Sequence, residues 1–222
     1  MNGSRLKLVF FSLLVFFFLD SRADVYQWHA PGIDGIGKSY MGRNISQVMG
    51  HTGARWLERE GRKKEERTDL LIANLPLEVN SVVADIGAGT GFFSFPVAKK
   101  LPLGRLLAVD LQREMLSIIQ ERKKIDYADN IETVLGTMRD PNLPAGAVDL
   151  AFIIDAYHEF SHPFEMSQAI YAALKSGGQL VLIEYRAEDS SVPIKALHKM
   201  TEAQARKEIQ AVGFRWEETK NF

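Results

Sequence analysis

The 222-residue sequence has no cysteine. That absence excludes disulfide staples, thiolate metal sites, iron–sulfur clusters and a Cys nucleophile. An excess of charge is also missing, because 27 Lys and Arg stand against 28 Asp and Glu and leave a formal charge of -1. Such a balance gives no footprint for nucleic acid or for an anionic membrane surface. The apolar run Leu8–Leu19 covers 12 residues, short of the roughly 20 that span a bilayer as a helix. What is present, 46% hydrophobic and 25% charged residues, is the composition of one globular domain. Any chemistry therefore falls to oxygen, nitrogen or a bound cofactor.

Residues 1–23 have the pattern of a secretory signal peptide: Arg5 and Lys7, then the apolar run, then Ser21-Arg22-Ala23 with small residues at both cleavage-determining places. The expectation is export to the periplasm or medium, with no stable membrane span after cleavage. An uncleaved anchor, or a cytoplasmic protein with a misassigned start, are the alternatives. Residues 24–79 then form a lid or helical segment, and 80–222 the core. Within the first of these, Thr52 to Leu75 predicts one or two surface helices broken near Gly61, and the mixed-sign run Arg62–Arg67 predicts a solvated helix face.

From residue 81 onward, continuous apolar runs alternate with helical patterns. Strands are expected at 81–86, 105–110, 131–135, 148–154 and 179–185, and helices at 92–100, 113–123 and 163–174. Thr201-Glu-Ala-Gln204 is a capping-box pattern opening a last helix through Ala211, before a strand-like Phe214-Arg-Trp216. Strands of this kind separated by helices imply a doubly wound, mostly parallel, Rossmann-like α/β sheet with helices on both faces. Nine residues follow Gly213, enough for a sixth strand but not for a returning seventh.

The most informative segment is Val83-Ala-Asp85-Ile-Gly87-Ala88-Gly89-Thr-Gly91-Phe92. A buried strand enters a glycine turn that lets backbone approach a ligand closely, and a helix follows. The dinucleotide spacing G-x-G-x-x-G would need glycine at position 92, which is Phe92. A nicotinamide-dependent oxidoreductase is therefore the weaker enzyme reading. Leu106-Leu-Ala-Val-Asp110 follows, a second strand ending in a carboxylate 19 residues past Gly91, placed to accept from two ribose hydroxyls.

With an acidic residue two places ahead of the first glycine, this D-x-G-x-G-x-G segment resembles the first motif of class I S-adenosylmethionine-dependent methyltransferases. The resemblance continues through Asn142–Phe152 and Leu174–Leu182, and the flanks are similar to a bacterial-type branch carrying a signal peptide. It implies S-adenosyl-L-methionine as cofactor, with Asp85, Gly87, Ala88, Gly89 and Gly91 around its amino-acid part and Asp110 on its ribose. Leu111 borders the adenine in this reading, and Thr137, Asp140 or a nearby backbone group meets the adenine amino group.

On the acceptor side, the fourth core strand ends in Asp155-Ala-Tyr157-His158-Glu159. His158 is the first candidate for a general base, with Asp155 orienting it or touching substrate and Tyr157 stacking on the acceptor. The Asn/Asp-Pro-Pro-aromatic motif of many amide and nucleobase N-methyltransferases is absent. The expected partner is a small-molecule methyl acceptor, reached by in-line displacement without a metal. A cofactor-binding protein without catalysis is the alternative, and the oligomeric state is open. Segments 40–56 and 184–199 are candidates to complete the pocket.

Overall fold

The computed structural model describes residues 25–220, so residues 1–23, expected to be a signal peptide, lie outside the described residues. Three strands open the described chain: β1 (Tyr26–Trp28), β2 (Gly35–Tyr40) and β3 (Arg43–Ser46), which form a separate antiparallel sheet in that order. Tyr40 pairs with Arg43 across Met41-Gly42, whose φ angles of 50° and 98° are both positive. That is the two-residue hairpin turn whose twist matches its strands. The sequence reading expected a lid or helices here and gave 26–46 no strand, because the runs are short and mostly polar.

Helical structure begins at a 3-10 turn, His51–Gly53, and continues as α1 (Ala54–Leu57), α2 (Arg62–Glu65) and α3 (Thr68–Ala73). The break near Gly61 is present, and Lys63, Lys64, Glu65 and Arg67 form the expected solvated face, with Arg62 as the exception. Arg62 is buried, its guanidinium 4.4 Å from the Phe92 ring centroid and paired with Glu66 at 2.9 Å.

The core alternates β4 (Val82–Ile86), α4 (Ser94–Ala98), β5 (Arg105–Asp110), α5 (Arg113–Asp126), β6 (Ile131–Leu135), β7 (Val148–Ile154), α6 (Pro163–Ala173), β8 (Leu174–Ile183) and α7 (Glu202–Gln210). All neighbouring pairs of the five-stranded sheet are parallel, in the order β6-β5-β4-β7-β8. This is the doubly wound arrangement expected from the alternating runs. Side chains alternate between two buried layers, Val83, Leu106, Ala108, Leu150 and Phe152 on one face and Ala84, Ile86, Leu107, Val109, Ala151 and Ile153 on the other. Burial on both faces explains why these strands read as unbroken apolar runs.

The chain winds from β4 outward to β6, then crosses back to β7 beside β4. The crevice at the carboxyl ends of β4 and β7 is thus the topological switch point, where ligands of such sheets bind. Thr201 caps α7 as its pattern requires, with Oγ1 accepting from Gln204 N at 3.1 Å. The sixth strand expected at 214–216 does not form: Phe214 packs edge-on against Tyr171 of α6, and Trp216 lies under Arg206 at 3.9 Å. Ring contacts with α6 and Arg206 take the place of strand pairing there, with Phe214 half-buried and Trp216 exposed. Among the described residues no helix is long and apolar enough to cross a membrane.

Candidate active site

The turn after β4 has Gly87, Gly89 and Gly91 at φ of 81°, 55° and 80°, a region that side-chain-bearing residues adopt at a cost. Close packing adds to the requirement. A Cβ on Gly87 would stand 2.9 Å from Ala156 Cβ, and one on Gly89 would stand 2.9 Å from Leu57 Cδ1. Ala88 is buried beside them, and the Gly87 and Ala88 amides both donate to Val109 O at 2.9 Å. The turn is thereby locked to the end of β5, which carries Asp110.

Asp110 is buried and accepts one backbone N–H on each oxygen, from Gly89 at 2.9 Å and from Gln112 at 2.8 Å. Each carboxylate oxygen has a second lone pair, so two further donors, such as a pair of vicinal ribose hydroxyls, can be accommodated. Asp85, also buried, accepts from the Ser94 hydroxyl at 2.6 Å through Oδ2. Oδ1 has no hydrogen-bond partner among the described residues. Burial pushes the Asp85 carboxyl up to about 7 from 3.8, against the Ser94 hydrogen bond, with Asp110 raising it further. Burial likewise raises Asp110, opposed by the amides it accepts. Among the described residues neither carboxylate has an ion-pair partner. The turn therefore sets two buried carboxyl groups beside glycine backbone, Gly87 half-buried and Gly89 and Gly91 buried beneath the cover, a donor set that fits a ligand with a cationic amino-acid part and a ribose, as S-adenosylmethionine has.

Leu111 is exposed beside Asp110, at the rim of the crevice. Thr137 is exposed too, with Oγ1 accepting from the amides of Arg139 and Asp140 at 3.1 and 2.9 Å. Its hydroxyl is thus engaged in shaping the 137–140 turn.

Asp155 occupies a left-handed conformation, φ 50°, at the end of β7, and its neighbour Ala156 abuts Gly87. Strain of this kind at a strand end costs about 1–3 kcal/mol and is concentrated at functional sites. Burial raises the Asp155 carboxyl to about 8, against the pull of His158. Tyr157 is fully buried in the core, edge-on to Phe160, so its ring is not presented for stacking on an acceptor. His158 is 1% exposed, and both ring nitrogens face protein atoms: Nδ1 lies 2.6 Å from Glu184 Oε2 and Nε2 3.0 Å from His198 Nδ1. Burial alone would lower its pKa, but the Glu184 hydrogen bond and charge, with Asp155 and Glu159, raise it.

Arg43 and Ser46 come from the 40–56 segment expected to complete the pocket, whereas Lys38 and Glu208 had no signal in the sequence. Arg43 forms a two-pronged pair with Glu208 of α7 at 2.7 and 2.8 Å and donates to His158 O at 3.1 Å. Lys38 donates to Ser161 O at 2.6 Å, and Ser46 to His158 O at 3.3 Å. These contacts fasten the N-terminal sheet to the 157–161 turn. The cover over the glycine turn is tied down as well, with Met49 N on Glu159 Oε2 at 3.1 Å, His51 N on Gln112 Oε1 at 2.7 Å and Thr90 on Glu58. Two shallow surface concavities, by Glu188 and Arg206 and by Asp149 and Lys175, lie away from this crevice.

Comparison with known proteins fits this geometry. Residues 83–178 match the family of methyltransferase domains. A methyltransferase-like protein of Schizosaccharomyces pombe is 28% identical over 152 residues, 68% of this chain and 56% of that protein. The mitochondrial 2-methoxy-6-polyprenyl-1,4-benzoquinol methylase of Caenorhabditis elegans is 21% identical over 127 residues, 56% and 45% of the two chains. The chain thus spans about half the length of these curated relatives. A crystal structure of a SAM-dependent methyltransferase from Aquifex aeolicus superposes with a TM-score of 0.71, 21% identity, and coverage of 76% of this chain and 90% of that one. Residues 83–178 are thus similar to methyltransferase domains, and the described core shares the Rossmann-like fold of the Aquifex aeolicus structure.

Proposed function

We propose that the protein binds S-adenosyl-L-methionine and transfers its methyl group to a small-molecule acceptor by in-line displacement. The observation that carries this reading is the three-glycine turn set between two buried carboxylates, Asp85 and Asp110, neither of which has an ion-pair partner among the described residues. Asp85 Oδ1 would receive the cofactor ammonium, Asp110 the ribose hydroxyls, and Leu111 would border the adenine, with Thr137 at the rim. The cofactor supplies a leaving group that is already activated, so alignment in a water-poor pocket is the main task of the protein.

Asp155 is the acceptor-side carboxyl nearest the turn through Ala156. His158 stands behind it, Nδ1 3.9 Å from Asp155 Oδ1, and acts as a positioning residue. Because Leu57 packs on Gly89, the cofactor reaches the turn when the 49–61 cover shifts, a gating motion of the kind that precedes closure in many enzymes. The name of the nematode relative makes electron-rich rings with hydroxyl groups the first acceptors to test. The reading includes export through the leader at 1–23, checked by N-terminal sequencing of fractionated protein. Methyl release from labelled cofactor over a metabolite panel tests the activity: transfer to one acceptor class supports it, and tight binding with no transfer to any acceptor supports the non-catalytic alternative.

A further inference from the structure

Three lone-pair-bearing atoms converge next to the crevice. His158 Nε2 and His198 Nδ1 are 3.0 Å apart, and Glu159 Oε1 stands 3.8 Å from the first and 3.7 Å from the second. Each ligand is held from behind by a different partner. His158 Nδ1 lies 2.6 Å from Glu184 Oε2, while Glu184 Oε1 accepts from the His158 amide at 3.2 Å. His198 Nε2 lies 3.3 Å from Asp34 Oδ1, which also accepts from Lys195 at 2.7 Å. Glu159 Oε2 accepts from Met49 N at 3.1 Å.

A carboxylate can only accept, so the outer nitrogen of each imidazole carries the proton. When both rings are neutral the inner nitrogens are bare and point at each other and at a carboxylate oxygen, and a proton on His158 Nε2 donated to His198 Nδ1 at 3.0 Å is what a cation would replace. Repulsion among three lone pairs is relieved by a cation placed between them. Ligands about 2.0–2.1 Å from a tetrahedral zinc ion are separated from one another by about 3.3–3.4 Å, close to the mean of the three distances here. The carboxylate behind each histidine matches the outer-shell pattern that fixes the ring tautomer at metal sites.

We propose that His158 Nε2, His198 Nδ1 and Glu159 Oε1 form a three-ligand site for a divalent transition cation of zinc-like coordination, with a fourth position open. The nitrogen and oxygen donor set suits such an ion in a chain that offers no thiolate. Access exists from one side, since the His198 and Glu159 side chains are 20% and 14% exposed while that of His158 is 2% exposed. The sequence reading expected no metal, because the three ligands lie on a turn and on a segment 40 residues away without a recognisable spacing. The site stands independently of the methyl-transfer reading. If both hold, the open position can bind an acceptor oxygen and lower its pKa.

The test uses the untagged full-length protein, dialysed against chelator, with Zn²⁺ followed by calorimetry and Co²⁺ by visible absorption. One equivalent should bind, with a tetrahedral cobalt spectrum. His198→Ala and Glu159→Gln should each weaken binding at least about 100-fold, and the outer-shell change Asp34→Asn about 10- to 100-fold. His162→Ala, outside the cluster, should bind as the parent does, and thermal melts identify any variant that fails to fold. Absence of saturable binding to the folded parent, or unchanged affinity in a folded His198→Ala, overturns the proposal. A cobalt-silent pair sharing a proton titratable by NMR would overturn it too, and would identify a hydrogen-bonded relay instead.

Discussion

The cofactor side of the crevice is built from residues near one another in the chain: Asp85, the three glycines and Asp110 fall within the first two strand–helix units and are held by Gly87, Ala88 and Gly89 amides. The acceptor side is assembled from distant segments: Asp34 just before β2, Arg43 of β3, the 155–159 turn, Glu184 after β8, His198 in the 3-10 turn ahead of α7, and Glu208 of α7. On the first side, backbone conformation shapes the proposed cofactor site and residue type is dictated locally. On the second, side chains must find partners 26 to 165 residues away, so a single substitution there is expected to unsettle the fold as well as the chemistry.

Breaking the longest of those links should give the largest effect. Arg43→Ala leaves Glu208, whose side chain is 0% exposed, as a buried carboxylate without its partner. A loss of about 3–5 kcal/mol is expected for such a change, read as a shift in urea midpoint at constant slope. If stability hardly moves, the N-terminal sheet is an appendage and the acceptor side does not depend on it.

Gly89→Val attacks the other side. It places a branched side chain at φ 55° and against Leu57, so cofactor affinity should fall by more than about 100-fold, or about 2.7 kcal/mol. Asp110→Ala removes the ribose acceptor and the partner of two amides, and should cost about 1.5–3 kcal/mol of binding, or about 10- to 150-fold in Kd. Titration calorimetry of both variants shows whether backbone shape or the carboxylate contributes more.

The smallest effect concerns pH. Asp85 takes up its proton more readily in the fold, near 7, than at its ordinary 3.8. Between these values the folded protein holds more protons than the unfolded one, so this group's contribution to stability falls as pH rises and levels off above about 7. Asp85→Asn removes that dependence. The Asn variant without cofactor should melt above the parent at pH 8 by a few degrees, with about 2–4 °C expected per kcal/mol at this chain length. The gap should close toward pH 4. A gap that does not change with pH would mean that Asp85 is paired and charged in the fold.

The same contrast explains what the sequence could show. The ends of β5, β6 and β7 and the start of α5 fall where the apolar runs and turn residues place them, since burial on both faces leaves a continuous signal. The Thr201 cap is legible for the same local reason. The N-terminal sheet was not, because its short strands bury Lys38, Ser39 and Ser46 along with Tyr40 and Ile45, and polar residues in a strand look like loop. Nor could a run such as Arg62–Arg67 reveal that Arg62 lies over two phenylalanine rings. His158 and His198 are 40 residues apart, and only the fold puts them 3.0 Å from one another.

The most direct test of the cofactor assignment is calorimetric titration of the parent protein with S-adenosylmethionine beside Asp110→Asn, which keeps the shape of the side chain but replaces one ribose acceptor with a donor. The account predicts one equivalent bound by the parent and affinity at least about 10-fold weaker in the variant. No saturable binding to the folded parent, or equal affinity in the two proteins, would contradict it.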